Sequence, residues 1–252
     1  GLGDVYKRQI FNKQKLMDTS IGELIDRVQS LYSKGVSSDD ARLSKRHIYS
    51  KLKSSRNKLV TQEAKKRQKI NDWNFIVLPC VELIKVPNHD CPCIPTIGCD
   101  VYRTKYKLPK TLTDLNRHLI NYVMNIDSQK LIDETTREAY LYEAGNKYTS
   151  GHLKYILENE YLFVYGKNIP RYIKIKLLAE DPVDAYNYPS ACKEECIDCE
   201  DCSNILDRPF PIDSDLVDTL IEMAAQELVS VFIQMQEDKT NNTSDSTNEQ
   251  AK

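Results

Sequence analysis

The spacing of apolar residues changes at Asn71. Before this residue, apolar side chains recur every three or four positions, which places them along one face of an α-helix. After it, short apolar and β-branched runs alternate with prolines and turn residues, a pattern typical of strands joined by tight loops. We therefore predict N-terminal helices in 17–70 and a β-rich domain in 71–180.

Three amphipathic helices are predicted outside the β-rich domain. The first begins at Thr19 or Ser20, with Glu23 three residues after Ser20 to complete a capping box, and it ends near Ser33–Gly35. The second runs from caps in Ser37–Asp40 to about Ile70, and most of its circumference is polar. The third is predicted at 212–237, and together the three helices are expected to form a bundle.

Short turns separate the predicted strands of the β-rich domain, and Leu157–Tyr161 has the pattern of a hairpin. Strands joined by short turns pair antiparallel, whereas a parallel pair needs a crossover, usually a helix. Because no helix is predicted here, we expect an antiparallel sheet. The predicted strands are Phe75–Leu78, Val81–Val86, Val101–Tyr106, Leu119–Ile126, Lys130–Thr135, Glu138–Tyr142, Leu153–Leu157, Tyr161–Tyr165 and Tyr172–Leu178.

The expected fold class is therefore α+β, with a helical bundle and a central antiparallel β domain. An acidic, cysteine-rich loop is predicted at 181–211, and the polar composition of 238–252 predicts a disordered tail. Residues 1–16 are expected to be a non-native or untranslated leader. Gly1–Gln9 resembles a translated sequencing adapter, and Met17 directly precedes the first helix cap.

Charge is distributed unevenly along the chain. Between Ala41 and Ile70 there are eleven Lys and Arg against one acidic residue, although the whole chain has a net charge of −2. Such a helix can neutralise nucleic-acid phosphates without reading bases, or it can dock an acidic partner. We favour charge pairing between subunits, because the chain also carries an acidic segment. The predicted basic face is Arg42, Lys45, Arg46, Lys51, Lys53, Arg56 and Lys58, and the acidic segment is Glu194, Glu195, Asp198, Glu200 and Asp201.

Cysteine is the residue type whose spacing most favours a chemical site. No cofactor is expected, although four thiolates at short spacing could hold a structural zinc ion. Two alternatives stay open: reduced thiols in an exposed loop, and disulfides formed in an oxidising setting such as a released particle. The candidate ligands are Cys192, Cys196, Cys199 and Cys202, and a further group, Cys91, Cys93 and Cys99, follows His89.

Common catalytic motifs are absent from the sequence. It contains no GxSxG, no phosphate-binding GxxxxGK, no HExxH and no GxGxxG after a strand. There is also no uninterrupted run of about 18 apolar residues and no apolar core of a secretory signal. We therefore predict a non-enzymatic protein that is made and kept in the cytoplasm.

Three stretches resemble the head-to-tail connector, or neck ring, proteins of tailed bacteriophages, specifically those of the crAss-like group. They are Met17–Leu59, with MDTSIGELIDRVQSLYSKGVSSDDARLSKRHIYSKLKSSRNKL; Tyr155–Ala185, with YILENEYLFVYGKNIPRYIKIKLLAEDPVDA; and Phe210–Leu228, with FPIDSDLVDTLIEMAAQEL. None of the three is a catalytic motif, so the resemblance rests on the residue sequences of these stretches and on their order along the chain.

The resemblance implies a structural virion protein that is assembled in the host cytoplasm and located in the neck. It implies a cyclic homo-oligomer below the portal, with portal and other neck or tail proteins as neighbours and DNA in the central channel. A ring of this kind needs two different complementary patches on each subunit. The alternative from another class is a zinc-stabilised nucleic-acid-binding protein that uses the basic helix 42–69, and neither alternative implies a membrane.

Overall fold

The structure, a computed structural model, describes residues 19–33, 43–67, 70–87, 100–114, 117–144, 146, 148, 151–192 and 204–230. These residues form two compact units. The helical unit comprises the described residues up to Ile70 and from Asn204 onward, and the barrel unit comprises those from Asn71 to Cys192. The predicted leader at 1–16 and the predicted tail at 238–252 lie outside the described residues.

Helix α1 spans Ile21–Tyr32 and begins as the sequence predicts. The Ser20 hydroxyl accepts a hydrogen bond from the Glu23 amide at 3.1 Å, which satisfies one of the free amides of the first turn. The apolar stripe of α1 is buried along its length, as the three-and-four spacing predicts. Its buried members are Ile21, Leu24, Ile25 and Val28.

Helix α2 spans Lys45–Arg67, and residues 217–230 form a further helix, α5, after a 3₁₀ turn at Ser214–Leu216. Each buries one apolar face. None of the described helices is long and apolar enough to cross a lipid bilayer. The buried apolar residues are Ile48, Leu52, Leu59 and Val60 in α2, and Val217, Leu220, Ile221, Ala224, Ala225 and Leu228 in α5.

The start of α1 is bonded to the segment that precedes α5. The Ile21 amide donates to the Arg208 carbonyl at 3.0 Å, and the Phe210 amide donates to the Thr19 carbonyl at 2.9 Å. Gly22 allows this close approach, because a Cβ there would lie 3.2 Å from the Leu206 carbonyl oxygen. Segments far apart in sequence thus build one unit. A bundle of all three helices stays a prediction.

Arg56 of α2 is fully buried in the helical unit, although its helix is predominantly basic. Its Nε donates to the Pro211 carbonyl at 2.7 Å, and its guanidinium carbon lies 5.9 Å from the centre of the Phe210 ring. The prediction that Arg56 belongs to an exposed basic face is therefore wrong. The reason is that the segment leading into α5 covers this face of α2.

Seven strands of the barrel unit close into a barrel, in the order β1-β2-β8-β7-β6-β5-β9. A separate two-stranded ribbon is formed by β3 and β4. The bounds are β1 Ile76–Pro87, β2 Asp100–Thr104, β3 Thr113–Asp114, β4 Arg117–His118, β5 Ile120–Asn125, β6 Leu131–Glu134, β7 Lys154–Glu158, β8 Tyr161–Tyr165 and β9 Tyr172–Leu177.

Six of the seven pairings in the barrel are antiparallel, and the pairing of β6 with β7 is parallel. The expectation of a purely antiparallel sheet is therefore wrong. Helix α3, at Arg137–Ala144, connects β6 to β7 where a strand at Glu138–Tyr142 was expected. The Thr136 hydroxyl accepts from the Ala139 amide at 3.2 Å and caps this helix, which thereby supplies the crossover that a parallel pair needs.

Two local features of the barrel can be compared with the sequence predictions: the β7–β8 hairpin and the strand that contains Pro79. β7 and β8 form a hairpin, as predicted, with positive φ values of 53° at Asn159 and 67° at Glu160 in its two-residue turn. The two runs predicted on either side of Pro79 form one strand, β1, with a shift of register between Leu78 and Val81. A bulge is one of the few places where a sheet accepts proline.

The barrel core follows from the alternation of side chains along the strands. In β9, Ile173, Ile175 and Leu177 are buried inside, while Tyr172, Lys174 and Lys176 lie outside. The interior also contains Ile76, Leu78, Val81 and Leu83 of β1, Val123, Ile132, Tyr155, Leu162 and Val164 of the other strands, and Ala185 of a short helix, α4, at Pro182–Tyr186.

A second apolar cluster lies on the outer surface of β2, β8 and β7. It consists of Val101, Ile156, Phe163 and Tyr165, all buried. Tyr140 of α3 covers it, with its ring centre 4.3 Å from that of Tyr165. This contact fixes α3 on the β7–β8 side of the barrel.

A disulfide joins Cys80, in the bulge of β1, to Cys192, in the segment that follows α4. The two cysteines are 112 residues apart in sequence. Next to the bond, the Ala191 amide donates to the Cys80 carbonyl at 3.2 Å. The bond therefore ties the chain that follows α4 back to the barrel wall.

Replacing Arg56 with methionine should destabilise the helical unit by about 1–3 kcal/mol, because the Pro211 carbonyl loses its buried donor. Arg46→Met on the exposed first turn of the same helix is the control, with an expected change within about 0.5 kcal/mol. Urea denaturation followed by circular dichroism measures both. Equal changes in the two variants would contradict the structural role of Arg56.

Replacing Cys192 with serine should destabilise the barrel unit by about 2–5 kcal/mol, because the loss of a cross-link over a long loop frees the unfolded chain. Cys192 is exposed, so serine introduces no buried hydroxyl. Urea denaturation should show that reduced wild type matches the variant. If oxidised wild type and Cys192→Ser unfold at the same urea concentration, the bond does not stabilise the barrel.

Candidate interaction surfaces

The cations of the predicted basic face have different environments in the structure. Lys45 and Arg46 are exposed in the first turn of α2, whereas Lys53 is half-buried. Lys51 and Lys58 both approach Glu227 of α5, and Arg56 is buried. Arg42 lies outside the described residues, and whether the exposed members bind anything stays a prediction.

Glu227 holds α2 and α5 together electrostatically. Its carboxylate lies 2.6 Å from the Lys58 ammonium and 3.6 Å from that of Lys51. The hydrogen bond from Lys58 lowers the pKa of Glu227 below its usual value, and the charge of Lys51 acts in the same direction. Part of the basic character of α2 therefore serves contacts within the helical unit.

The predicted metal ligands are only partly described. The sulfur of Cys192 is bonded to Cys80, so a zinc ion held by all four cysteines would require this bond to be reduced first. Cys196, Cys199 and Cys202 lie outside the described residues, as does the whole predicted acidic segment. Within the described ranges, no three His, Cys, Asp or Glu side chains are close enough to hold a metal ion. Both sites stay predictions.

A compact ion cluster lies where β1 meets the chain after β2. The Glu82 carboxylate accepts from Lys105 at 2.9 Å and from Arg171 at 3.1 Å. These hydrogen bonds, that of Lys105 most of all, lower the pKa of Glu82. Lys105 also lies over the Tyr106 ring, and Arg171 lies over the Tyr172 ring. The cluster ties β1, β2 and the approach to β9 together.

An apolar surface extends over the outside of β1, β9, β5 and β6, and we name it the β9 face. The strand register places Val77, Lys176 and Tyr122 in one row, and it places Lys174, Met124 and Leu131 in a second row. Leu131 is 59% exposed, and Trp73, in the 3₁₀ turn that precedes β1, is 46% exposed. The β9 face consists of Trp73, Phe75, Val77, Tyr122, Met124, Leu131, Lys174 and Lys176.

Two highly exposed tyrosines occur in α3 and in the segment that follows it. Tyr142 and Tyr148 are 84% and 83% exposed, although tyrosine usually buries part of its ring. Glu138 is also exposed, and it shares the outer side of α3 with Tyr142 because the two are four residues apart. We name Glu138, Tyr142 and Tyr148 the tyrosine lobe.

Neither surface was identified from the sequence. The β9 face brings together residues of four strands, and its rows become visible only once the strand register is known. The tyrosine lobe had a local signal: a threonine cap at Thr136 followed by the good helix formers of REAYLYEA. If that helix had been predicted, its periodicity would have placed Tyr142 on the opposite side from Tyr140, on the outer side of the helix.

Replacing Glu227 with glutamine should lower the stability of the helical unit at pH 7 by about 0.5–1 kcal/mol, because Lys58 is half-exposed and screened. A lowered pKa in the folded state stabilises the fold above the unfolded value of about 4.3, and the effect is lost as the pH falls below it. Urea denaturation should show a smaller difference at pH 3 than at pH 7, because the effect is lost as the pH falls through the lowered pKa of the folded state. A difference of equal size at both pH values would contradict an ionic origin.

The chain matches a family described as phage tail ring protein 2 over residues 23–249. No curated protein matches the chain. The family match includes α1 from Glu23 onward, α2, every described strand of the barrel and α5. Because it covers far more than half of the chain and both units, the chain belongs to the phage tail ring protein 2 family of crAss-like phages, structural proteins of the virion.

Proposed function

We propose that this protein is a subunit of a neck ring, the head-to-tail connector that links the portal to the tail and surrounds the DNA channel. The observation that carries the proposal is the family match over residues 23–249. Ring proteins assemble into oligomers with other tail components. Our proposal is more specific than the family description, because it places the ring in the neck. Assembly in the host cytoplasm, before the virion is released, belongs to the same proposal.

The contacts of the barrel unit are suited to a structural role. Closure of the sheet removes the free strand edges through which chains aggregate without control. The outer wall nevertheless carries exposed apolar and aromatic side chains, which mark protein interaction sites on soluble folds. A subunit of a cyclic assembly needs such surfaces, because it contacts two neighbours through two different patches.

The rival function, a zinc-stabilised nucleic-acid-binding protein, has less support from the described residues. Its footprint would be the basic face of α2, where Arg56 is buried and Lys51 and Lys58 contact Glu227. Its zinc site would need the sulfur of Cys192, which is in a disulfide. These contacts favour a scaffolding role for α2 over a phosphate-binding one.

The oligomeric state of the purified full chain tests the ring. Light scattering should give a mass that is a whole multiple of 29.1 kDa, and negative-stain microscopy should show closed rings with a central opening. Zinc is quantified on the same sample. A zinc-loaded monomer or dimer whose DNA affinity falls steeply with salt would overturn the proposal and favour the rival function.

Cross-linking mass spectrometry on intact virions tests the position in the neck. Lysine cross-linkers should join this chain to the portal on one side and to a tail protein on the other. Exposed lysines such as Lys45 of α2 and Lys107 of the barrel unit offer reactive amines on both units. Cross-links to distal tail proteins without any to the portal would show a tail ring and not a connector.

A further inference from the structure

We propose that the ring closes through one repeated contact, in which the β9 face of each copy binds the tyrosine lobe of the next copy. This inference rests on the proposed ring function and names the surfaces that build it. Both surfaces belong to the barrel unit, so the contact needs no particular arrangement of the helical unit.

The β9 face has the composition of an interface core. Trp, Tyr and Met are enriched at the centre of protein interfaces, whereas Lys, Asp and Glu are depleted there. The charged side chains Lys174 and Lys176, and Asp72 bonded to Lys176, are therefore expected at the rim of the contact. The face offers the chain's single tryptophan, Trp73, together with Tyr122, Met124 and Leu131. Four neighbouring strands make it about 14 Å wide across the strand direction. A patch of this kind would not suit DNA, whose phosphates need cations more than apolar side chains.

Lys176 gives the β9 face a fixed shape. Its ammonium lies 5.5 Å from the centre of the Phe75 ring and 5.8 Å from that of Tyr122, and it bonds to Asp72 at 2.9 Å. The Lys176 side chain is only 13% exposed, and its charge is paired with the carboxylate of Asp72, which is 77% exposed at the surface. An arriving partner therefore meets rings that are held in place, which lowers the entropy lost on binding.

The tyrosine lobe complements this face. Tyrosine supplies a large rigid ring at a small entropic cost, and its hydroxyl tolerates the partly wet rim of an interface. Tyr142 and Tyr148 are the most exposed large apolar side chains among the described residues. The negative charge of Glu138, which lies beside Tyr142 on α3, matches Lys174 of the β9 face.

The strand order places the centre of the β9 face opposite the wall that α3 covers, although the face extends to β6, which pairs with β7. In the closed order, the position across from β9 falls between β8 and β7. Those two strands carry the outer cluster that Tyr140 of α3 covers. A subunit in a ring meets its two neighbours on opposite sides, and a head-to-tail contact joins two different surfaces. The β9 face and the tyrosine lobe are two different surfaces, and α3, which carries Tyr142, lies across the barrel from β9.

Complementation between two variants tests the contact. Leu131→Asp places a charge in the β9 face, and Tyr142→Asp does the same to the tyrosine lobe. Light scattering should find each variant monomeric, with the contact weakened about 30-fold or more. When the two are mixed, one intact β9 face meets one intact lobe, and a one-to-one pair with twice the subunit mass should form.

Two controls keep the test specific. Ile205→Asp changes an exposed apolar residue of the helical unit that is 44% exposed, and this variant should still form complete rings. Trp73→Asp is a second variant of the β9 face and should behave as Leu131→Asp does. Circular dichroism and urea denaturation of every variant confirm that the loss of assembly is not a loss of folding.

The possible results separate this inference from the ring function itself. Rings of wild type that persist in Leu131→Asp and Tyr142→Asp would overturn the contact and leave the ring function in place. A mixture that stays monomeric would also overturn the contact, because a head-to-tail interface must complement. Wild type that forms no closed oligomer would instead count against the proposed ring.

Discussion

Closure of the barrel depends on the parallel pairing of β6 with β7. Without this pairing, the strands would form an open sheet with two free edges, and free edges are sites of uncontrolled pairing. The pairing is possible because α3 carries the chain from the end of β6 back to the start of β7. Tyr140 then packs on Tyr165 and holds the helix against the outer wall. One crossover thus closes the sheet and presents the outer side of α3 to solvent.

Charge in this protein has two structural uses that composition alone does not separate. In the helical unit, Arg56 reaches a backbone carbonyl in the interior, and Glu227 draws two lysines of α2 towards α5. In the barrel unit, Glu82 joins cations from two different segments. A high local count of Lys and Arg therefore describes a helix that is partly committed to its own unit. It does not by itself indicate nucleic-acid binding.

The features that the sequence predicted correctly depend on neighbours in the chain. The capping box at Ser20, the hairpin at Asn159 and the alternation in β9 each involve residues a few positions apart. The features that it missed depend on distant partners. Arg56 finds its acceptor 155 residues away, and Cys80 bonds to a cysteine 112 residues away.

One error had a local origin. The tyrosines of Glu138–Tyr142 favour a strand, whereas the cap at Thr136 and the helix formers around them favour a helix. The β9 face, in contrast, could not be predicted from any local pattern. Its residues come from four strands, and they form one surface only in the observed strand register. The family resemblance was recognisable because it rests on the order of long stretches and not on any one contact.

The helical unit draws on both ends of the described chain, whereas the barrel unit is continuous, and this sets an order of events during synthesis. Every strand of the barrel has been made before Phe210 and Pro211 appear. The acceptor of Arg56, the Pro211 carbonyl, is synthesised 155 residues after Arg56. At ribosomal rates of about 5–20 residues per second, this interval is about 8–30 s. In a nascent subunit, all the strands of the barrel are therefore present before α5 has been made. The apolar faces of α1 and α2 are still exposed at that stage. Only chains translated as far as α5 can complete the helical unit.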